Sequence, residues 1–193
     1  MKKLVVNIVK SNIFNIPNTL SLIRVFLAPL VLLFLSLRID EPIAGITDVS
    51  WGDAIASAVF IVASITDAFD GYIARRYKLV TTLGKFIDPL ADKVLVIAAM
   101  LALIELGRLP AWIVMVIITR EFIVTGLRLV AAAEGVVIAA SKGGKLKTVC
   151  QIIALLMLML KIPGGMLLMW VAMLLTVWSG MDYLIKGSKI ITG

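Results

Sequence analysis

The chain contains no histidine and a single cysteine, Cys150, among its 193 residues. The first absence removes the commonest general base and the usual zinc ligand, and the second rules out a disulfide within the chain. Charge is scarce too: 16% of residues are Asp, Glu, Lys or Arg, against 61% hydrophobic and a mean hydropathy of +1.07. A soluble globular domain does not have this composition. No polar stretch is long enough for a separate soluble domain. No small-residue cleavage site follows a short apolar core after Lys2, Lys3 and Lys10, so no removable signal peptide is expected. The net charge of +7 does not indicate nucleic acid, because no basic soluble module accompanies it. In so apolar a chain, Lys and Arg serve as topology signals and as contacts to anionic lipid headgroups.

What is present is a series of long apolar runs. A spanning helix needs about 20 apolar residues, so the expected fold is an all-α integral membrane protein with six transmembrane helices, 1–193 forming one domain. The spans are predicted at about 20–37, 54–77, 83–106, 111–133, 148–160 and 166–185, separated by breakers such as Pro42, Gly45, Gly107, Pro110, Pro163 and Gly164. Residues 1–19, punctuated by Asn15, Pro17 and Asn18, read as an interfacial segment.

Counting Lys and Arg on alternate sides of these spans gives an orientation. Lys2, Lys3, Lys10, Arg75, Arg76, Lys78, Lys85, Lys142, Lys145, Lys147, Lys186 and Lys189 fall on one side, while Arg38, Arg108 and Lys161 fall on the other. Both termini are therefore expected in the cytoplasm, in a multi-pass membrane protein.

Four acids stand out: Asp67 and Asp70, three apart, then Asp88 and Asp92, four apart. On helices each pair shares one face. If the chain reverses near Leu79, the two pairs sit at matching depth, with Asp70 about 10 Å from the cytoplasmic boundary. Four carboxylates so close would repel, and acids inside a membrane are costly even singly. Two divalent cations would balance them, and an oxygen-only donor set favours Mg²⁺ or Mn²⁺. A pair of such ions clamps a phosphoryl centre, which sets the active site facing the cytoplasm. Gly71, Ala74 and Gly84 leave room for a cavity or for close helix packing, and Arg75 has the geometry to grip phosphate bidentately.

The pattern Asp67, Asp70, Gly71, Ala74, Arg75, Gly84, Asp88, Asp92 resembles the full signature of the CDP-alcohol phosphotransferase family. That resemblance implies six transmembrane helices, a homodimer, two metal ions, and a CDP-linked lipid donor cleaved with release of CMP. It makes Asp67, Asp70 and Asp88 metal ligands, and Asp92 a ligand, the base for the incoming hydroxyl, or both. The CDP-lipid pocket would be lined by Asn18, Asp70, Gly71, Ala74, Arg75 and Gly84.

Downstream, Arg120 and Arg128 lie eight apart on one helical face, about 12 Å along the axis, and the segment Ser141 to Thr148 adds lysines. Arginines within a span need anionic partners, so a second anion pocket is expected. For Arg120 the alternative is an ion pair with Glu121 or a neighbouring helix. Lys142 and Lys147 read as ordinary lysines of the cytoplasmic side. The stretch Arg120 to Gln151, with Asn15 to Arg24, resembles the branch of the family whose acceptor is sn-glycerol 3-phosphate. Thr125, where serine is more usual, departs slightly from it. Arg120, Arg128, Lys145 and Gln151 would then hold the acceptor's phosphate and CDP-diacylglycerol would be the donor. Inositol phosphate, serine or phosphatidylglycerol are the alternative acceptors. A divalent-cation transporter would also explain the acids, but not Gly71, Ala74 and Arg75 at their spacing, and no inverted repeat accompanies it.

Overall fold

The computed structural model describes residues 16–37, 42–43, 46–77, 82–133 and 142–191; within these, the side chains of 16–18, 42, 46–48, 67–77, 82–89, 92, 132–133, 142, 182 and 186–191 lie outside the description. Six α-helices occur among the described residues: α1 Ile16–Ser36, α2 Trp51–Tyr77, α3 Thr82–Glu105, α4 Ala111–Ala133, α5 Lys142–Met159 and α6 Gly165–Ile191. Two of them are long and apolar enough to cross a membrane over Thr19–Ser36 and Gly165–Ile185, and α2 carries a shorter apolar stretch, Trp51–Thr66. The chain forms two compact units, Met1–Ala102 and Leu103–Gly193, divided within α3.

In the first unit α1 packs on α2. Ser21, Arg24, Ala28, Val31 and Leu35 are buried along α1 at the three- and four-residue steps of one helical face. Phe26 and Leu33 on the other face are exposed. The helix begins at Ile16 rather than near Leu20 as predicted, because Pro17 falls in the first turn, where a missing N–H costs nothing.

The connection after α1 was expected to be a polar loop through Asp53. Instead it contains a short antiparallel pair, β1 Pro42–Ile43 and β2 Ile46–Ser50, and α2 starts at Trp51. A reciprocal cap sets that start: the Asp53 N–H donates to Ser50 Oγ at 3.2 Å, and the Ser50 N–H donates to Asp53 Oδ2 at 3.2 Å. Ser50→Ala is expected to cost about 1 kcal/mol of stability, read as a lower thermal midpoint in detergent; an unchanged midpoint would assign the start of α2 to packing alone.

In the second unit α6 packs against both α4 and α5. Gly107, at φ +67°, ends α3, the Arg108 N–H reaching back to Leu103 O at 2.9 Å. The Arg108 side chain donates through Nη1 to Met159 O at 3.0 Å, placing a cation at the carbonyl end of α5. Helix α5 begins at Lys142, six residues before the predicted start. Gly143 and Gly144 are tolerated there because they occupy the first turn, and a Cβ at Gly143 would lie 3.2 Å from the Trp178 ring. The indole occupies space that a larger residue would fill.

Candidate functional site

The carboxylate positions are set by helix register. Along α2 the buried residues Asp53, Ala56, Ser57, Phe60 and Ala63 form one stripe, and steps of four, three and four from Ala63 lead to positions 67, 70 and 74. Along α3 the stripe Ala91, Leu95, Ala98, Ala102 runs back through positions 88 and 84, with 92 three residues before Leu95. Four residues separate the two helices. Counted from the helix ends at Tyr77 and Thr82, positions 70 and 88 lie about 10 Å and about 9 Å along their axes, and 67 and 92 each lie about 15 Å along theirs. The eight signature positions are thus all helical and in phase with the buried faces, and the four aspartates lie at matching distances from the helix ends. Asn18 falls in the same relation on α1, three residues before Ser21. The side chains at 18, 67, 70, 71, 74, 75, 84, 88 and 92 lie outside the described residues. Among the described residues no three metal-binding side chains cluster.

The residues predicted for the other pocket lie on α4 and α5, both of which pack against α6. Arg120 donates through Nη1 to Glu121 Oε1 at 3.1 Å and through Nη2 to Ser179 Oγ at 2.8 Å, and its Cζ lies 5.6 Å from the centre of the Tyr183 ring. The Lys147 ammonium also pairs with Glu121 Oε1. One carboxylate therefore meets two cations. Arg120 Nε is buried and has no hydrogen-bond partner among the described residues. A cavity of about 320 Å³ opens beside it, lined by Met115, Thr119, Ile123, Val177, Met181 and Leu184 as well as Arg120.

A sequence profile described as CDP-alcohol phosphatidyltransferase matches residues 14–178. The chain belongs to this family. A *Bacillus subtilis* (strain 168) protein named CDP-diacylglycerol--glycerol-3-phosphate 3-phosphatidyltransferase is 46% identical over 183 residues, covering 90% of this chain and 95% of its own length. Proteins of the same name from *Rickettsia bellii* (strain RML369-C) and *Haemophilus influenzae* (strain ATCC 51907 / DSM 11121 / KW20 / Rd) are each 36% identical. The first covers 88% of this chain and 93% of its own length, and the second 92% and 96%.

Within this CDP-alcohol phosphatidyltransferase, the predicted phosphate-pocket residues do not share one environment. Gln151 is buried, Arg120 is half-buried, and Arg128 and Lys145 are exposed. Lys147, expected as an ordinary surface lysine, is only 5% exposed. It was missed because a lysine in a basic run looks like a topology signal, and its counter-ion stands 26 residues away. Ser179, Gly180 and Tyr183 were missed as well. The signal available for them was the spacing of Thr176, Ser179, Gly180 and Tyr183 on one face of a helix that is apolar from Met166 to Leu175.

Proposed function

We infer that the chain transfers the phosphatidyl group of CDP-diacylglycerol to sn-glycerol 3-phosphate, giving phosphatidylglycerophosphate and CMP in phospholipid biosynthesis. The observation that carries this reading is the eight-position signature on α2 and α3, in phase with the buried faces, with its four aspartates at matching distances from the helix ends. The names of the family members described above support the acceptor.

The donor set fits divalent metal ions: carboxylates at four helical positions, in a chain with no histidine. Asp67, Asp70, Asp88 and Asp92 would hold two Mg²⁺ or Mn²⁺ ions, which when bound neutralise phosphate charge and polarise the reacting phosphorus. Asn18, Gly71, Ala74, Arg75 and Gly84 line the CDP-lipid pocket, with the Arg75 guanidinium on phosphate. Arg120, Arg128, Lys145 and Gln151 hold the acceptor's phosphate. The free hydroxyl oxygen of glycerol phosphate then forms a bond to the lipid-linked phosphorus. The bond from that phosphorus to the bridging oxygen breaks, and CMP departs with the electron pair. Asp92 takes the hydroxyl proton.

The chain works as one domain of six spans, with both termini and the active site on the cytoplasmic side of the cell membrane, and as a homodimer. Trp51, Trp112 and Trp170 lie near the starts of α2, α4 and α6, the ends away from the lysine-rich connections, where aromatic residues favour a membrane interface. The 5.0 Å edge-to-face contact of Trp112 with Trp170 fits this placement.

Purified protein given both substrates and Mg²⁺ or Mn²⁺ is expected to release CMP. No release with either ion would overturn the reading, and release with inositol phosphate, serine or phosphatidylglycerol in place of glycerol phosphate would reassign the acceptor. Arg128→Ala is expected to raise the KM for glycerol phosphate about tenfold, with the CDP-diacylglycerol KM nearly unchanged. Equal damage to both KM values would contradict two separate pockets.

A further inference from the structure

We infer that α6 acts on the reaction by positioning Arg120: Ser179, Gly180 and Tyr183 form a socket that fixes its guanidinium for the acceptor's phosphate. This rests on the reading of Arg120 given above and extends it to a helix that touches no signature residue in sequence. An arginine stem is flexible, and fixing it on binding costs rotamer entropy. A guanidinium already held in place avoids part of that cost.

Each of the three residues contributes a distinct restraint. Ser179 Oγ donates its proton to Thr176 O at 3.2 Å, so its lone pairs are turned to accept from Arg120 Nη2 at 2.8 Å. The Tyr183 ring faces Arg120 Cζ; an aromatic face attracts a guanidinium without using up its N–H donors. Gly180 provides the space: a Cβ there would stand 2.9 Å from Arg120 Cγ and 3.4 Å from Nε. Any other residue forces the stem aside near its root. Glu121 alone does not define the guanidinium's position, since it meets one nitrogen and is shared with Lys147. Nη1 and Nη2 each give one bond, which leaves each with one further N–H, and the buried Nε–H has no partner among the described residues. Ser179, Gly180 and Tyr183 are positioning residues, since each would act on the substrate through its contact with Arg120.

The test is steady-state kinetics on the full-length protein in detergent micelles, varying each substrate in turn. Ser179→Ala removes one oxygen without adding volume and is expected to raise the KM for glycerol phosphate about fivefold to tenfold. Gly180→Ala is expected to raise it at least about tenfold. For both, the CDP-diacylglycerol KM stays within about twofold of the parent. Tyr183→Leu removes the ring and is expected to raise the glycerol phosphate KM about as much as Ser179→Ala. Arg120→Ala is the reference. If it leaves the glycerol phosphate KM unchanged, the reading of Arg120 itself fails. If Arg120→Ala raises that KM while Ser179→Ala and Tyr183→Leu lower only kcat or move both KM values equally, the socket is overturned and α6 is packing alone. Should Gly180→Ala fail to fold, Ser179→Ala and Tyr183→Leu still decide the matter.

Discussion

Asp88→Asn is expected to abolish turnover, lowering kcat at least about a thousandfold, or about 4 kcal/mol in barrier. The substitution keeps the volume and shape of the side chain and removes its negative charge. In the proposed site that takes the carboxylate charge from −4 to −3 and replaces a strong oxyanion ligand with a neutral amide. Both effects weaken metal affinity, and a misplaced cation no longer lies where charge builds on the reacting phosphates. Asp70→Asn is expected to do the same from α2. The measurement is CMP release across a titration of Mg²⁺ and Mn²⁺. Partial recovery at high metal concentration would locate the loss in affinity, while turnover within tenfold of the parent at ordinary concentrations would remove Asp88 from the metal site.

Glu121→Ala is expected to lower stability by about 2–3 kcal/mol. Removing one member of a buried charge pair leaves the other uncompensated, at about 3–5 kcal/mol where both are fully buried. Here the Lys147 side chain is 6% exposed but the Glu121 side chain is 23% exposed, so solvent screens part of the interaction and the cost falls at or just below the bottom of that range. Two cations, Lys147 and Arg120, lose the same counter-charge at once. Adding Lys147→Met to the Glu121→Ala background removes one of them and is expected to recover part of the loss. Thermal unfolding in detergent gives the comparison. Equal midpoints for parent and Glu121→Ala would show that the pairing adds nothing to folding.

The helices were largely legible in the sequence, because hydropathy and breakers act on contiguous residues. The starts of α4 and α6 fall at Ala111 and Gly165, against predictions of 111 and 166. The larger differences have local causes that hydropathy does not register. Helix α2 starts early because Ser50 and Asp53 cap each other, a signal present as Ser-x-x-Asp but weighed as loop. Helix α5 starts early because two glycines and a basic run were read as a connection. The candidate site divides in the same way. The aspartates' spacing, and so their shared faces, follows from helical periodicity. Which cation meets Glu121 does not.

The sequence by itself determined a membrane-type composition, the absence of histidine from any ligand set, and two acidic pairs spaced to share helix faces. Each of these depends on residue type or on spacing within a few residues. Only the tertiary structure decided that Lys147 is buried against Glu121 and that Arg120 rests on Ser179, Gly180 and Tyr183. Those partners stand 26 and about 60 residues apart in the chain. They meet because helices pack by ridges and grooves, and no spacing along one strand of sequence specifies which ridge enters which groove.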